Sequence, residues 1–307
     1  MIERLHPGKK PGRPDEEDVG CKKPRQRQGE EEDVDQNDGD GDKNAFTGGH
    51  DCYSGLCTGN PGADMSRRDF SHANNPTFAC RGNVLLLPFG RRSYLPALVE
   101  RFDGEEIELD ETTDRIVYQL GELTLVYSGM GGPAAANALE MIAANGGSRV
   151  VVFGACGGID PKIAVGDLVV ASGAVRGEGT SRYYAPLEFP AAFSPLLTAR
   201  LHDAAARTGS GHHLGVVYTT DAGYRQGPEI YETYSGLAIG VESECAAAAV
   251  VGARLGLEMG ALLFCSDNTT LPKTEDQLYG GLRNPATRSG FEAGAAAVVS
   301  TLTEDEV

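Results

Sequence analysis

Two carboxylates one residue apart, Glu242 and Glu244, stand where an apolar, glycine-broken segment gives way to an alanine-rich run. The run Cys245-Ala-Ala-Ala-Ala-Val-Val251 reads as helix, so both acids are expected in its first turn. There the open backbone N–H groups and the positive end of the helix dipole favour an anion. A carboxylate so placed is expected to stay ionised and to accept hydrogen bonds only. It suits a vicinal diol, whose two hydroxyls can both donate to it. The same placement also suits a plain helix cap, and the pair by itself leaves both readings open.

The elements that would position these acids follow from the pattern along the chain. The run Asn83-Val-Leu-Leu-Leu-Pro88 is a buried strand stopped by Pro and Gly90, and 95–102 reads as a short helix. Residues 115–120 and 123–127 flank Gly121-Glu122 as a hairpin. The glycine loop Ser128-Gly-Met-Gly-Gly-Pro133 then leads into a helix over 134–145, which Gly146-Gly147 end. A second apolar strand, Arg149-Val-Val-Val-Phe153, completes a strand, loop, helix, strand unit, hence a parallel pair. Gly154-Ala-Cys-Gly-Gly158 is expected as a second glycine loop at a strand's carboxyl end, where open α/β sheets bind ligands. Strands over 166–171, 214–220 and 258–266 and helices over 195–208 and 289–302 fill out the rest. The expectation is a single α/β domain over 80–305, with a central mixed, mostly parallel sheet flanked by helices. Gly-Met-Gly-Gly does not fit the dinucleotide fingerprint and no acidic residue follows at the right distance on a next strand, so no nicotinamide cofactor is expected.

Composition narrows the partners. The 307 residues carry a formal charge of −17 and are 40 % apolar. Residues 1–64 hold 9 Lys+Arg against 15 Asp+Glu and almost no apolar run, which predicts a disordered acidic tail. Met65 is an alternative start that would exclude this tail. Beyond it only Lys162 and Lys273 remain among the lysines, a usage that fits a salt-rich cytoplasm or a GC-rich genome. So acidic a chain is not expected to bind nucleic acid or anionic membranes through a basic face. The Asp38-Gly-Asp-Gly-Asp42 run, read from Asp33, puts Asp38 and Asn44 where a calcium loop needs Gly and Glu. The spacing of His50, Cys52, Cys57, His72 and Cys80 matches no zinc pattern, so no metal is expected. Cys156, Cys245 and Cys265 lie in apolar runs and read as buried free thiols. No stretch approaches a membrane span and no signal-peptide core opens the chain, so a cytoplasmic protein is expected.

Taken in order, the motifs resemble the nucleoside phosphorylase superfamily, which holds hexameric purine nucleoside phosphorylases, uridine phosphorylases and related nucleosidases. The resemblance runs from about residue 84 to 299. It rests on Gly-Met-Gly-Gly-Pro133, Gly154-x-Cys-Gly-Gly158 followed by Val165-Gly-Asp-Leu-Val169, Ala185-Pro-Leu-Glu-Phe-Pro190, Tyr231-Glu-Thr-Tyr-Ser-Gly236, Val-Glu-x-Glu at 241–244, and Ser266-Asp267. It implies cleavage of a nucleoside N-glycosidic bond through a ribosyl-cation-like transition state. On that resemblance Glu244 holds O2′ and O3′ with Glu242 in support, Met130 touches the sugar, and Ser243 replaces the family's usual Met. Asp267 falls on the general acid toward N7 of a purine, helped by an Arg for which Arg288 and Arg283 are candidates. A plain N-cap is the alternative reading of Asp267.

The resemblance also locates departures. Where uridine phosphorylases read uracil with Gln and Arg, this chain has Pro228 and Ile230. The stacking Phe falls on Gly223, leaving Tyr224, with Val241, to wall the base. Phosphate-binding positions become Val152 and Ala155, and the opening phosphate element is reduced to Gly90, Arg91 and Arg92 within Pro88-Phe-Gly-Arg-Arg92. No convincing donated Arg is seen, Arg115 sitting a few residues too late. The leading expectation is phosphorolysis of a purine-type nucleoside, with inorganic phosphate as co-substrate and no other cofactor. A water-using nucleosidase, a uridine phosphorylase and a catalytically dead binding protein are the alternatives. AMP nucleosidases resemble the chain at Cys-Gly-Gly and Leu-Leu-x-Cys-Ser-Asp, yet no Glu near 88–92 stands where some nucleosidases keep their base. A homo-oligomer is implied, as a hexamer of three dimers or a dimer.

Overall fold

The computed structural model describes residues 78–90, 92–107, 109, 116–268, 270 and 281–304. The acidic tail over 1–64, Met65, the calcium-like run, His50, Cys52, Cys57, His72, Arg91 and Arg115 lie outside the described residues.

Ten strands and six helices follow one another in the described residues. They are β1 (Asn83–Leu87), α1 (Tyr94–Arg101), β2 (Glu105–Ile107), β3 (Ile116–Leu120), β4 (Leu123–Tyr127), α2 (Gly132–Ala144), β5 (Arg149–Gly158) and β6 (Leu168–Gly177). After these come β7 (Ala191–Ala192), α3 (Pro195–Arg207), β8 (His212–Thr220), α4 (Pro228–Tyr234), β9 (Gly240–Glu242), α5 (Cys245–Leu255), β10 (Glu258–Asn268) and α6 (Pro285–Thr303). The expected hairpin is present as β3 and β4, paired antiparallel from Ile116 with Tyr127 to Leu120 with Leu123. The short edge strand β2 has no strong sequence signal and forms because β3 offers it a ladder.

The sheet runs β10-β6-β8-β9-β5-β1-β4-β3-β2, and β10 also pairs with β5. That extra pairing closes β5, β10, β6, β8 and β9 into a ring, while β1 to β4 extend from it as an open wing. The longest ladders, β5 with β10 and β6 with β8, are parallel. This is the mixed α/β sheet flanked by helices that the sequence implies.

Strand residues alternate between two cores, as the period of two requires. Val84, Leu86, Val150 and Val152 face α2 and α5. Leu85, Leu87, Val151 and Phe153 face α1, α3 and α6, where Phe153, Phe264 and Phe291 meet. The alanines of α5 are buried along Ala246, Ala247, Ala248 and Ala249, so small side chains let this helix lie close against both the sheet and α2. The thiols of Cys156, Cys245 and Cys265 are free and buried, as expected.

One expectation is corrected. Gly154–Gly158 is not a loop but the second half of β5, paired with Leu263–Cys265 and, past a one-residue shift, with Asp267 and Asn268 of β10, and with Gly240 and Val241 of β9. Intrinsic propensity is against a strand here, and ladders on two sides override it. Glycine is required because a Cβ at 158 would sit 2.9 Å from the Asn268 side chain.

Another glycine decides how α6 docks. Gly166 has φ of +91°, and a Cβ there would lie 2.4 Å from the Ala286 carbonyl oxygen. Gly209 has φ of +76° but open space around it. Gly209→Ala should cost only the left-handed strain, about 1–2 kcal/mol. Gly166→Ala adds a backbone clash and should cost about 2–5 kcal/mol. Urea unfolding of the two variants measures both; equal losses would show that α6 shifts freely to make room.

Candidate active site

The site is built where β9 ends and α5 begins. Strand β9 has only three residues, wedged between β8 and β5: Gly240 faces Val217 and Gly158, and Val241 faces Tyr218 and Gly157. Gly240 fits because a Cβ would meet the Cys156 thiol at 3.3 Å. The acids therefore sit one step earlier than expected. Glu242 is the last residue of β9 and Glu244 is the N-cap residue of α5, so neither lies within the first turn. The chain leaves the sheet at Glu242 and turns at Ser243, and the helix starts only at Cys245.

Their surroundings differ. Glu242 is buried, and its Oε2 accepts the N–H groups of Glu244 and Cys245, each at 2.7 Å. Its Oε1 accepts the Thr219 hydroxyl, which itself accepts the Ala246 N–H at 2.9 Å. Glu242 is thus the side chain that caps α5. Glu244 reaches across to the glycine loop, where the Gly131 N–H donates to its Oε1 at 2.7 Å. Gly131 has φ of +97°, which L side chains rarely adopt and which turns its N–H toward Glu244. A carboxylate offers about four acceptor positions, so Glu244 keeps capacity for the two donors of a diol.

The expectation that both acids stay ionised is corrected for Glu244. Burial pushes its carboxyl from the ordinary 4.5 up to about 8, the Glu242 charge adds to the rise, and the Gly131 and Ser243 amides oppose it. Burial also raises Glu242, against the bonds from Thr219, Cys245 and Glu244. Two backbone amides and a helix end do not offset the loss of water beside a like charge.

Asp267 lies at the carboxyl end of β10, opposite Gly157. The ladder shifts between Cys265 and Asp267, a bulge at Ser266 that breaks the strict alternation carried up to Cys265. The Ser266 hydroxyl donates to Asp267 Oδ1 at 3.1 Å, and the Cys265 thiol to the Asp267 carbonyl at 3.2 Å. Because Gly157 also pairs with Val241, Asp267 stands two strands from the acid corner, roughly 10 Å by strand spacing.

The other named positions are spread out. Met130 belongs to the glycine loop beside Gly131 and is 73 % exposed. Val241 is buried in a small apolar cluster with Ile159, Tyr218 and Ala238, against which Ile230 and Tyr234 pack. Tyr224 is fully exposed in a short 3-10 turn. Val152 is buried, Ala155 half-buried and Arg92 exposed. The Gly90 carbonyl accepts the amides of Ser93, Tyr94 and Leu95, so this residue starts α1. Arg288 is on the first turn of α6; its Nε donates to the Leu282 carbonyl at 2.9 Å beside Glu100, Arg101 and Glu292. Arg283 is exposed in the turn before it.

Sequence reasoning missed Thr219 and Glu178. The first shows only as a hydroxyl closing a strand at Thr219-Thr-Asp221. Glu178 Oε2 accepts the Ser181 N–H at 2.9 Å, and Thr180 Oγ1 in the same turn would meet a Cβ at Gly132 at 2.9 Å. Among the described residues no three His, Cys, Asp or Glu side chains gather as metal ligands.

The fold is a ring-closed mixed α/β sheet in which β5 lies between the buried acid pair at the end of β9 and Asp267 near the end of β10. A family model described as the phosphorylase superfamily matches residues 84–296, and the chain belongs to that family. The uridine phosphorylase of Escherichia coli K12 is 40 % identical over 175 residues, 56 % of this chain and 69 % of that protein. The uridine phosphorylase of Thermococcus kodakarensis is 39 % identical over 102 residues, 33 % of this chain, which spans only 37 % of that relative's length. Among solved structures, the AMP nucleosidase of Bacteroides thetaiotaomicron is similar at a TM-score of 0.58 and 27 % identity, covering 72 % of this chain and 88 % of that one.

The raised Glu244 carboxyl predicts a pH-dependent stability. An acid with a raised folded value binds more protons folded than unfolded between 4.5 and about 8. Ionising it therefore subtracts stability as pH rises through that window. Glu244→Gln keeps an acceptor for Gly131 and removes the charge. Its melting temperature should exceed the parent's clearly at about pH 8.5 and by much less at about pH 5. An equal difference at both pH values would show that Glu244 titrates normally.

Proposed function

We propose that the protein cleaves the N-glycosidic bond of a purine-type nucleoside with inorganic phosphate, releasing the free base and ribose 1-phosphate. The observation that carries this reading is the pairing of Glu244, held by Gly131 with acceptor capacity to spare, with Asp267 at the same sheet end. Glu244 takes the sugar's O2′ and O3′, and Glu242 holds Glu244 in place. As the bond from C1′ to the base breaks, its electron pair moves to the base, and Asp267 gives N7 a proton. A phosphate oxygen then bonds to C1′. No cofactor enters. Donors from the diol favour the ionised form of Glu244, and the acid pair then stabilises the positive charge that develops on the sugar.

A purine is favoured over uracil because Pro228 offers no polar side chain and Ile230 packs on the Val241 cluster. The relatives named uridine phosphorylases weigh the other way. Water in place of phosphate is the second reading, supported by the apolar side chains at Val152 and Ala155 and by the similarity to an AMP nucleosidase.

Assembly as a homo-oligomer, a dimer or a hexamer of three dimers, belongs to the same proposal. The exposed apolar side chains Leu187 and Phe189 rim a depression with Pro190, Ala192 and Val216, a face that a second copy would cover. Arg176 keeps that face rigid by donating to the carbonyls of Ala185 and Phe189. No helix among the described residues is long and apolar enough to cross a membrane, and a cytoplasmic location fits this chemistry.

Ribose 1-phosphate should form from a purine nucleoside only when phosphate is present; equal cleavage without it would establish hydrolysis. Asp267→Asn should lower kcat on a purine nucleoside about 10²–10⁴-fold, with KM little changed. A nitrophenyl riboside, whose leaving group needs no proton, should be largely spared. Equal losses on both substrates would return Asp267 to a structural cap. Light scattering should give at least twice the chain mass, and a fully active monomer would refute the assembly.

A further inference from the structure

We infer that Thr219 is a positioning residue for the sugar-binding acid, acting through Glu242 to hold Glu244 against Gly131. The inference rests on Glu244 being the diol ligand, and no base, phosphate or metal contact is asked of Thr219.

Geometry leaves the Thr219 hydroxyl a single role. It is fully buried at the end of β8, and its oxygen accepts the Ala246 N–H at 2.9 Å. A hydroxyl has one proton, and here it goes to Glu242 Oε1. The other oxygen of Glu242 is spent on the amides of Glu244 and Cys245, at 2.7 Å each. Together with the Cys245 thiol, which also bonds to this carboxylate, four protein donors hold Glu242, and the Thr219 hydroxyl is the one that ties it to β8. Because one of those donors is the backbone N–H of Glu244, the orientation of Glu242 sets where the Glu244 side chain starts. From there Glu244 spans to Gly131 of the glycine loop. Thr219 thus ties β8, β9, α5 and the loop before α2 into one chain of hydrogen bonds.

Valine at 219 keeps the volume but offers neither donor nor acceptor, so Glu242 Oε1 and the Ala246 amide lose their partner together. Freed at one oxygen, Glu242 can turn, and Glu244 then no longer meets the diol squarely. The loss should fall on substrates that carry the diol and spare those that lack it. Serine restores the hydroxyl and should restore the function.

The experiment compares the parent, Thr219→Val and Thr219→Ser on a purine ribonucleoside and its 2′,3′-dideoxy analogue. Protection of the Gly131 amide against hydrogen exchange is followed by NMR in the same proteins. In Thr219→Val, kcat/KM on the ribonucleoside should fall about tenfold or more while the dideoxy analogue changes little. Gly131 protection should fall in parallel, and Thr219→Ser should recover both. Should the valine variant not fold, Glu242→Gln, which misdirects the same bonds, is read in its place with the same expectation. Equal fractional losses on the two substrates, or unchanged Gly131 protection in a folded variant, overturn the inference. A parent that cleaves no nucleoside, while Gly131 protection still depends on Thr219, overturns the proposed function and leaves the positioning role standing.

Discussion

Setting Glu242 beside Glu244 out of water makes the two acids oppose each other, and the surrounding fold is arranged around that opposition. Desolvation of a carboxylate costs several kcal/mol, and a like charge adds to it. Each hydrogen bond to a charged group returns about 1.5–3 kcal/mol. Glu242 collects bonds from the Thr219 hydroxyl, the Glu244 and Cys245 amides and the Cys245 thiol, whereas Glu244 relies on the backbone amides of Gly131 and Ser243. Burial raises both carboxyls, and the bonds each accepts oppose that rise. One acid is held by the scaffold, and the other retains capacity for a ligand.

Those bonds exist because three chain segments converge within a few residues. Strand β9 must be short, so that Glu242 sits where the sheet stops and α5 begins. It must also squeeze between β8 and β5, which explains glycine at 240 and 158. Ring closure by β10 brings Asp267 to the same rim, since β5 is the common neighbour of β9 and β10. An open sheet in the same order would leave β10 at an edge, three strands from β9. The alanine-rich face of α5 contributes by allowing the helix to approach closely enough for Glu244 to reach Gly131.

Much of this scaffold is legible in the chain. The apolar run at β1, the Pro-led helices α2 and α3 and the hairpin around Gly121 carry their signals locally, within a few residues. The second half of β5 does not. Gly154–Gly158 has the composition of a loop, and only the ladders from β9 and β10, built from residues some eighty positions or more away, make it a strand. The position of Glu242 and Glu244 was legible to within one turn, but their charge was not. Desolvation is a property of the packed protein, and a helix start read from sequence says nothing about what covers it. The bond from Arg288 to the Leu282 carbonyl was likewise not legible, because it depends on the turn that precedes α6.

The raised acid also bears on the proposed chemistry. Side by side the two carboxylates repel, and protonation of Glu244 relieves the repulsion. On the proposed chemistry a diol would supply donors in place of lost water, and a sugar that gains positive charge would face both acids. The interaction that is unfavourable in the free protein then becomes favourable as the glycosidic bond lengthens. Only interactions that strengthen between ground and transition state accelerate a reaction. A fully neutralised pair, with an Arg beside it, would bind the sugar without gaining at that moment. Holding two carboxylates together on backbone amides, a threonine hydroxyl and a cysteine thiol leaves their charge available for the transition state.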